Sequence, residues 1–66
     1  MGKIVQIQDV KPDTWIFFKG NLMYLKEKNR WHDAVCYHRK QRVVLWPWTN
    51  VTVAAVSDKV TTEGWV

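Results

Sequence analysis

One cysteine, Cys36, stands in the 66 residues, so no internal disulfide can form. Domains this small often compensate for a thin core with disulfides or a metal. A structural zinc would have to take its ligands from Cys36, His32, His38 and a carboxylate, and the paired close spacings of zinc sites are missing. Serine is represented by Ser57 alone, with no histidine near it, and no glutamates are paired. The parts of hydrolytic triads and of carboxylate acid/base pairs are therefore absent. Cys36 and His38 lie two apart and would share a strand face, as a thiol and its base do. A small buried thiol beside a polar strand end accounts for them more simply. The sequence thus predicts no enzyme, no cofactor and no metal. No run of about 20 apolar residues exists to span a membrane. Met1 to Gln6 lacks the apolar stretch of a signal peptide, and Gln6 occupies the position where myristoylation needs Ser or Thr. Without a secretory signal, Asn50-Val51-Thr52 is a chance match to a glycosylation acceptor. A cytoplasmic, reducing location is expected, where one free thiol is stable. With two prolines and three glycines, there is no linker and no internal repeat, and the length allows one domain.

Aromatic residues and local positive charge are what the chain has in excess. Five tryptophans, two tyrosines and two phenylalanines are expected to supply the core, each able to bury on the order of 150–250 Å². That is more than so short a chain can hide, so part of it should reach the surface and mark an interface. Between residues 19 and 42, seven cations (Lys19, Lys26, Lys28, Arg30, Arg39, Lys40, Arg42) oppose two acids (Glu27, Asp33), a local +5. The rest of the chain, three lysines against four acids, is −1.

Short runs of β-branched and aromatic residues between polar clusters predict antiparallel strands. The first covers Lys3 to Gln8, with Val5 and Ile7 on one face and Ile4 on the other. Pro12 marks a turn before Thr14-Trp15-Ile16-Phe17-Phe18, which is apolar on both faces. Lys19-Gly20-Asn21 closes a tight hairpin, since Gly and Asn tolerate positive φ. Leu22 to Leu25, Asp33 to His38 and Arg42 to Trp46 follow as a meander. The last of these is nearly all apolar, as expected of a central strand, and Pro47 stops it because it cannot donate to a ladder. Lys26 to Arg30 has three readings: a solvated hairpin tip, a helical turn, or a basic ligand-contacting loop. Trp48-Thr49-Asn50 reads as a turn before a last strand, Val51 to Val56. Apolar residues never recur at helical spacing for long. The fold class is all-β, a small five- or six-stranded antiparallel barrel over residues 1–56. Residues 57–66 read as a tail that can fold back through Trp65.

Val10-Lys11-Pro12-Asp13-Thr14-Trp15-Ile16 followed by Lys19-Gly20-Asn21 is similar to the proline turn and glycine hairpin of many small bacterial and phage barrels. Trp46-Pro47-Trp48-Thr49-Asn50-Val51 resembles the turn that precedes the last strand of Src-homology-3 domains. The resemblance covers roughly residues 4 to 56 and implies a Src-homology-3-like barrel. It also implies that Pro47 and Trp31 line a groove for an extended peptide. A small phage protein that attaches to a host enzyme would have this size and composition.

Two function classes remain open. A protein-binding module, self-associating or docking on a larger protein, would use Trp15, Phe17, Trp31, Trp46, Pro47 and Trp48, since aromatic residues dominate interface energies. A nucleic-acid-binding barrel would use Lys26, Lys28, Arg30, Trp31, Tyr37, Arg39, Lys40 and Arg42. Cations release counterions from phosphate, and aromatic faces stack on unpaired bases. On this second reading the tips of neighbouring strands form one basic, aromatic edge.

Overall fold

The computed structural model describes residues 3–54 and 63–66. Among the described residues there are six strands: β1 (Ile4–Gln6), β2 (Thr14–Phe18), β3 (Asn21–Lys28), β4 (Ala34–His38), β5 (Gln41–Leu45) and β6 (Asn50–Val53). A single 3₁₀ turn, Ile7–Asp9, follows β1. All pairings are antiparallel, and the sheet order is β1-β6-β2-β3-β4-β5. The fold is therefore all-β with six antiparallel strands. β1 and β5 are its two edges and do not pair, so the barrel is incomplete. The Ile7 amide continues the β1–β6 register onto the Thr49 carbonyl (2.8 Å), and the Gln8 amide donates to the Pro47 carbonyl (2.9 Å), which ties the segment after β1 to the segment after β5. Among the described residues no helix is long and apolar enough to cross a membrane.

The concave face encloses Ile7, Val10, Ile16, Met23, Leu25, Ala34, Cys36, Leu45 and Val51, with Val5, Phe18 and Val43 packed around them. Register explains the set. Ile16 opposes Met23, Leu25 opposes Cys36, and Cys36 in turn opposes Val43, so one side chain in two along each strand points inward. Full burial of side chains such as Ile16 and Leu25 stabilises the fold by roughly 1.5–3 kcal/mol each. The aromatic residues do not supply this core, contrary to expectation. The inside of so small a barrel is filled by aliphatic side chains, and every tryptophan lies outside that cluster.

A second, smaller cluster lies on the outer face. Trp15 packs against Tyr24 across the β2–β3 ladder, with ring centroids 5.0 Å apart, and Ala54 completes the buried group. Trp65 returns from the C-terminal end to meet Trp15 edge-on at 5.2 Å, and its carbonyl accepts the Lys40 amide at 2.8 Å. Trp15 is therefore an interior residue, 7% exposed, and is not available as a contact.

Three more expectations change. Lys26 to Lys28 is neither tip nor loop. β3 carries on past a bulge between Leu25 and Glu27, and the turn proper is Asn29 to Asp33. A bulge lets a strand continue through residues that would otherwise break its alternation. β5, apolar enough to read as central, is an edge strand. β1 is shorter than predicted because Ile7 leaves the ladder to enter the core through the 3₁₀ turn. Ala55 and Val56, placed in the last strand from sequence, and residues 57–62 of the tail lie outside the described residues.

The Tyr24 hydroxyl donates to Asp13 Oδ1 at 2.5 Å. Burial first, then that bond and the carboxylate's charge, pushes the phenol up to about 12. The folded value thus lies above the usual value of about 10. The stabilisation is complete below pH 10 and is lost as pH rises from there through about 12. Alkaline unfolding followed by phenolate absorbance should show this step in the native chain. In Tyr24→Phe the step should vanish.

Candidate interaction surface

Asn29 builds one end of the surface. Its side-chain oxygen accepts the amides of Trp31 (2.9 Å) and Asp33 (3.0 Å), and its amide nitrogen donates to Asp33 Oδ2 at 3.3 Å. A short polar side chain that bonds the backbone ahead of it fixes a turn without tertiary help. His32 takes a positive φ of 67° to complete this turn. Trp31 is left at the apex, 68% exposed, with the Arg30 guanidinium 5.2 Å from its ring centre.

The adjoining wall comes from the end of β5. Trp46 and Trp48 are 63% and 61% exposed. Their rings stack nearly parallel, 10° apart in plane with centroids 5.3 Å apart. Pro47 between them fixes the backbone. The Thr49 amide closes the turn onto the Trp46 carbonyl at 3.0 Å, and the two bonds from Ile7 and Gln8 tie the segment to the opposite edge. A shallow cleft of about 260 Å³ lies between the two ends, lined by Asp33, Val44 and Trp46. Ala34 opposes Leu45, so Asp33 and Trp46 are the next positions along the same ladder.

The outer face of β3 to β5 carries the cations. Lys26 Nζ lies 5.5 Å from the centre of the Tyr37 ring, and Arg42 stands directly opposite Tyr37 on β5. Lys28 is otherwise engaged, its ammonium donating to the Gln8 carbonyl at 2.8 Å. Arg39 and Lys40 form the two-residue turn between β4 and β5. This turn and the Asn29–Asp33 turn sit at opposite ends of β4, because consecutive antiparallel hairpins alternate ends. The predicted basic candidates therefore do not form one edge. Lys26 and Arg42 form a band across the sheet, with Arg30 toward one end and Arg39 and Lys40 toward the other.

Of the predicted aromatic contacts, Trp46 lines the cleft, Trp48 stacks on it with Pro47 half-buried between them, and Trp31 stands exposed on the Asn29–Asp33 turn, whose Asp33 lines the cleft as well. Phe17 is 42% exposed on β2 and belongs to a separate patch, in register with Thr52 and, through it, with Ile4. Val44 (44% exposed) and Ile4 (69%) were not singled out from sequence. For Val44 the signal was present: Arg42, Val44 and Trp46 alternate along one strand. It pointed outward only once Val43 and Leu45 were known to face the core.

Burial pushes the Cys36 thiol up to about 11, far from thiolate at neutral pH. His38 Nδ1 lies 2.9 Å from the Leu22 carbonyl, which requires the proton on that nitrogen, and the ring meets Trp65 edge-on at 5.7 Å. Among the described residues, no three of His, Cys, Asp and Glu converge as metal ligands would. Compared with protein-family models, with curated proteins and with solved structures, the chain has no significant match.

Arg39 (φ 51°) and Lys40 (φ 72°) are both left-handed, a conformation that costs an ordinary side chain about 1–2 kcal/mol. Asn-Gly is the pair best suited to such a hairpin turn. The double variant Arg39→Asn/Lys40→Gly should therefore be more stable by about 1 kcal/mol, a rise in Tm of several degrees. Calorimetry or circular dichroism melting checks this.

Proposed function

We propose that the chain is a non-catalytic protein-binding module whose contact surface is the rim formed by Trp31, Trp46, Pro47 and Trp48. The stacked Trp46–Trp48 pair carries this reading. Two exposed indoles are held by backbone bonds on both sides, so a partner that covers them buries a large apolar area while little further ordering is needed. The proline between them and the exposed tryptophan of the Asn29–Asp33 turn support the finer reading of a Src-homology-3-like barrel. So does the path of β6, which returns to lie between β1 and β2. A reducing, cytoplasmic setting accords with the buried free thiol of Cys36.

A second reading has its own support. Tyr37 lies between Lys26 and Arg42 on an open strand face, and two adjacent cations are kept in a strained turn where Asn-Gly would be easier. Persistent strain of this kind marks functional positions. A single strand of nucleic acid could stack on the ring and place its phosphates on the flanking cations.

Substitution and salt separate the two. For a protein interface centred on the indoles, Trp46→Ala or Trp48→Ala should weaken binding to a partner isolated from the native host by about thirtyfold or more. Such binding should barely change between low and moderate salt. Steep loss of affinity with salt, together with sensitivity to Lys26→Ala and Arg42→Ala and indifference to Trp48→Ala, would replace the first reading by the second. NMR titration with a short single strand and a duplex supplies that comparison.

A further inference from the structure

We infer that β5 is a self-association strand through which two copies of the chain pair edge to edge, a conclusion that rests on the protein-binding reading above. β5 has β4 on one side, and among the described residues nothing pairs with the other. The two-residue turn at Arg39-Lys40 makes His38 and Gln41 a pair that exchanges both backbone bonds. Pairs alternate along an antiparallel ladder, so Gln41, Val43 and Leu45 turn their N–H and C=O groups toward β4, while Arg42 and Val44 turn theirs outward. Of the usual protections of an edge, β5 has a single charged side chain, Arg42. β5 contains no lysine, no proline and no bulge against β4, and its outward side chains include Val44 and, at its end, Trp46.

The side chains select a partner and a register. In an antiparallel pair with a two-fold axis at Val44, Val44 meets the partner's Val44, and Arg42 lies opposite the partner's Trp46. The axis repeats the Arg42–Trp46 contact, so it occurs twice. Each guanidinium then has an indole beside it, on the same outer face, and the two exposed valines cover one another. The outward N–H and C=O groups of Arg42 and Val44 find partners together. Moving the axis by one residue, to Val43, would set Arg42 against the partner's Val44 and leave Trp46 with no strand residue opposite it; moving it by two, to Arg42, would place the two guanidinium groups directly opposite. A shift of the pairing by one residue would turn one copy's core face outward. A parallel pair would bring like charges side by side. The basic beginning and aromatic end of β5 are thus complementary to a second copy running the other way. An acidic strand would leave the indole unmatched.

Val44→Pro is the informative variant. Its N–H faces away from β4, so proline removes only the outward donor and leaves the β4–β5 ladder intact. Sedimentation equilibrium of the full chain over roughly 10 μM to 1 mM should show reversible association to twice 7.9 kDa. Val44→Pro should weaken it by about tenfold or more, for two backbone bonds lost per dimer. Arg42→Glu, which leaves the backbone unaltered, should weaken it as well. In the native chain the amides of Arg42 and Val44 should gain protection from hydrogen exchange with rising concentration.

A chain that stays monomeric at 1 mM with both amides exchanging freely would overturn the inference. So would a dimer that ignores Val44→Pro and Arg42→Glu but dissolves in Trp48→Ala; in that case the aromatic rim would still be a protein interface and β5 would not. A monomer whose interactions are with nucleic acid and depend on salt would remove both readings.

Discussion

The barrel interior is narrow, and the rest of the structure depends on that. Ile7, Ile16, Leu25 and Cys36 are completely enclosed, and close-packed aliphatic side chains of this kind leave no void wide enough for an indole. Aromatic bulk is therefore displaced outward, in two directions. Trp15 and Tyr24 are re-covered by Trp65 in a second layer, while Trp31, Trp46 and Trp48 have no such cover among the described residues. The exposed aromatic surface is in this sense a by-product of core size. A 66-residue chain with one aliphatic core must display whatever aromatic area it cannot fold back on itself.

Much of the architecture was legible because its causes are local. The strand around Trp15-Ile16-Phe17-Phe18, the glycine at position 20 with φ of 80°, and the stop at Pro47 all follow from residues within one hairpin of each other. Failures came where the cause was distant. Whether β5 is central or edge depends on where β6 docks, and β6 pairs with β2 rather than with its neighbour in sequence. Trp15 was taken for a surface residue because its cover, Trp65, lies at the far end of the chain. The Arg39-Lys40 turn was visible as a turn, but its left-handed conformations were not, since neither residue favours them. The candidate surface was half legible. Composition showed which aromatic residues were surplus; only the ladder register showed that Asp33, Val44 and Trp46 border one cleft and that the two basic tips point apart.

Aromatic rim and cationic band share the outer face of β3 to β5, joined at Arg42, Val44 and Trp46. This continuity explains why composition alone left two function classes standing. One strand presents a guanidinium, a valine and an indole in alternate positions, and each class of partner would value a different subset of them. What distinguishes the subsets is their rigidity. The Trp46–Trp48 stack is pinned by Pro47 and by bonds from Ile7 and Gln8, whereas Lys26 and Arg42 are long side chains on an open face, and ordering them costs entropy when a ligand binds.

The way β1 closes on β6 also bears on mechanics. Ile4 stands opposite Thr52, so the chain leaves both strands of this ladder at the same end. Tension applied through the polypeptide on either side of the sheet would load the β1–β6 bonds one after another, as a zipper opens. It would not load them all together in shear. On the C-terminal side the Lys40 amide's bond to the Trp65 carbonyl and the Trp15–Trp65 contact stand between the pulled end and this ladder, so they would give way before it opens.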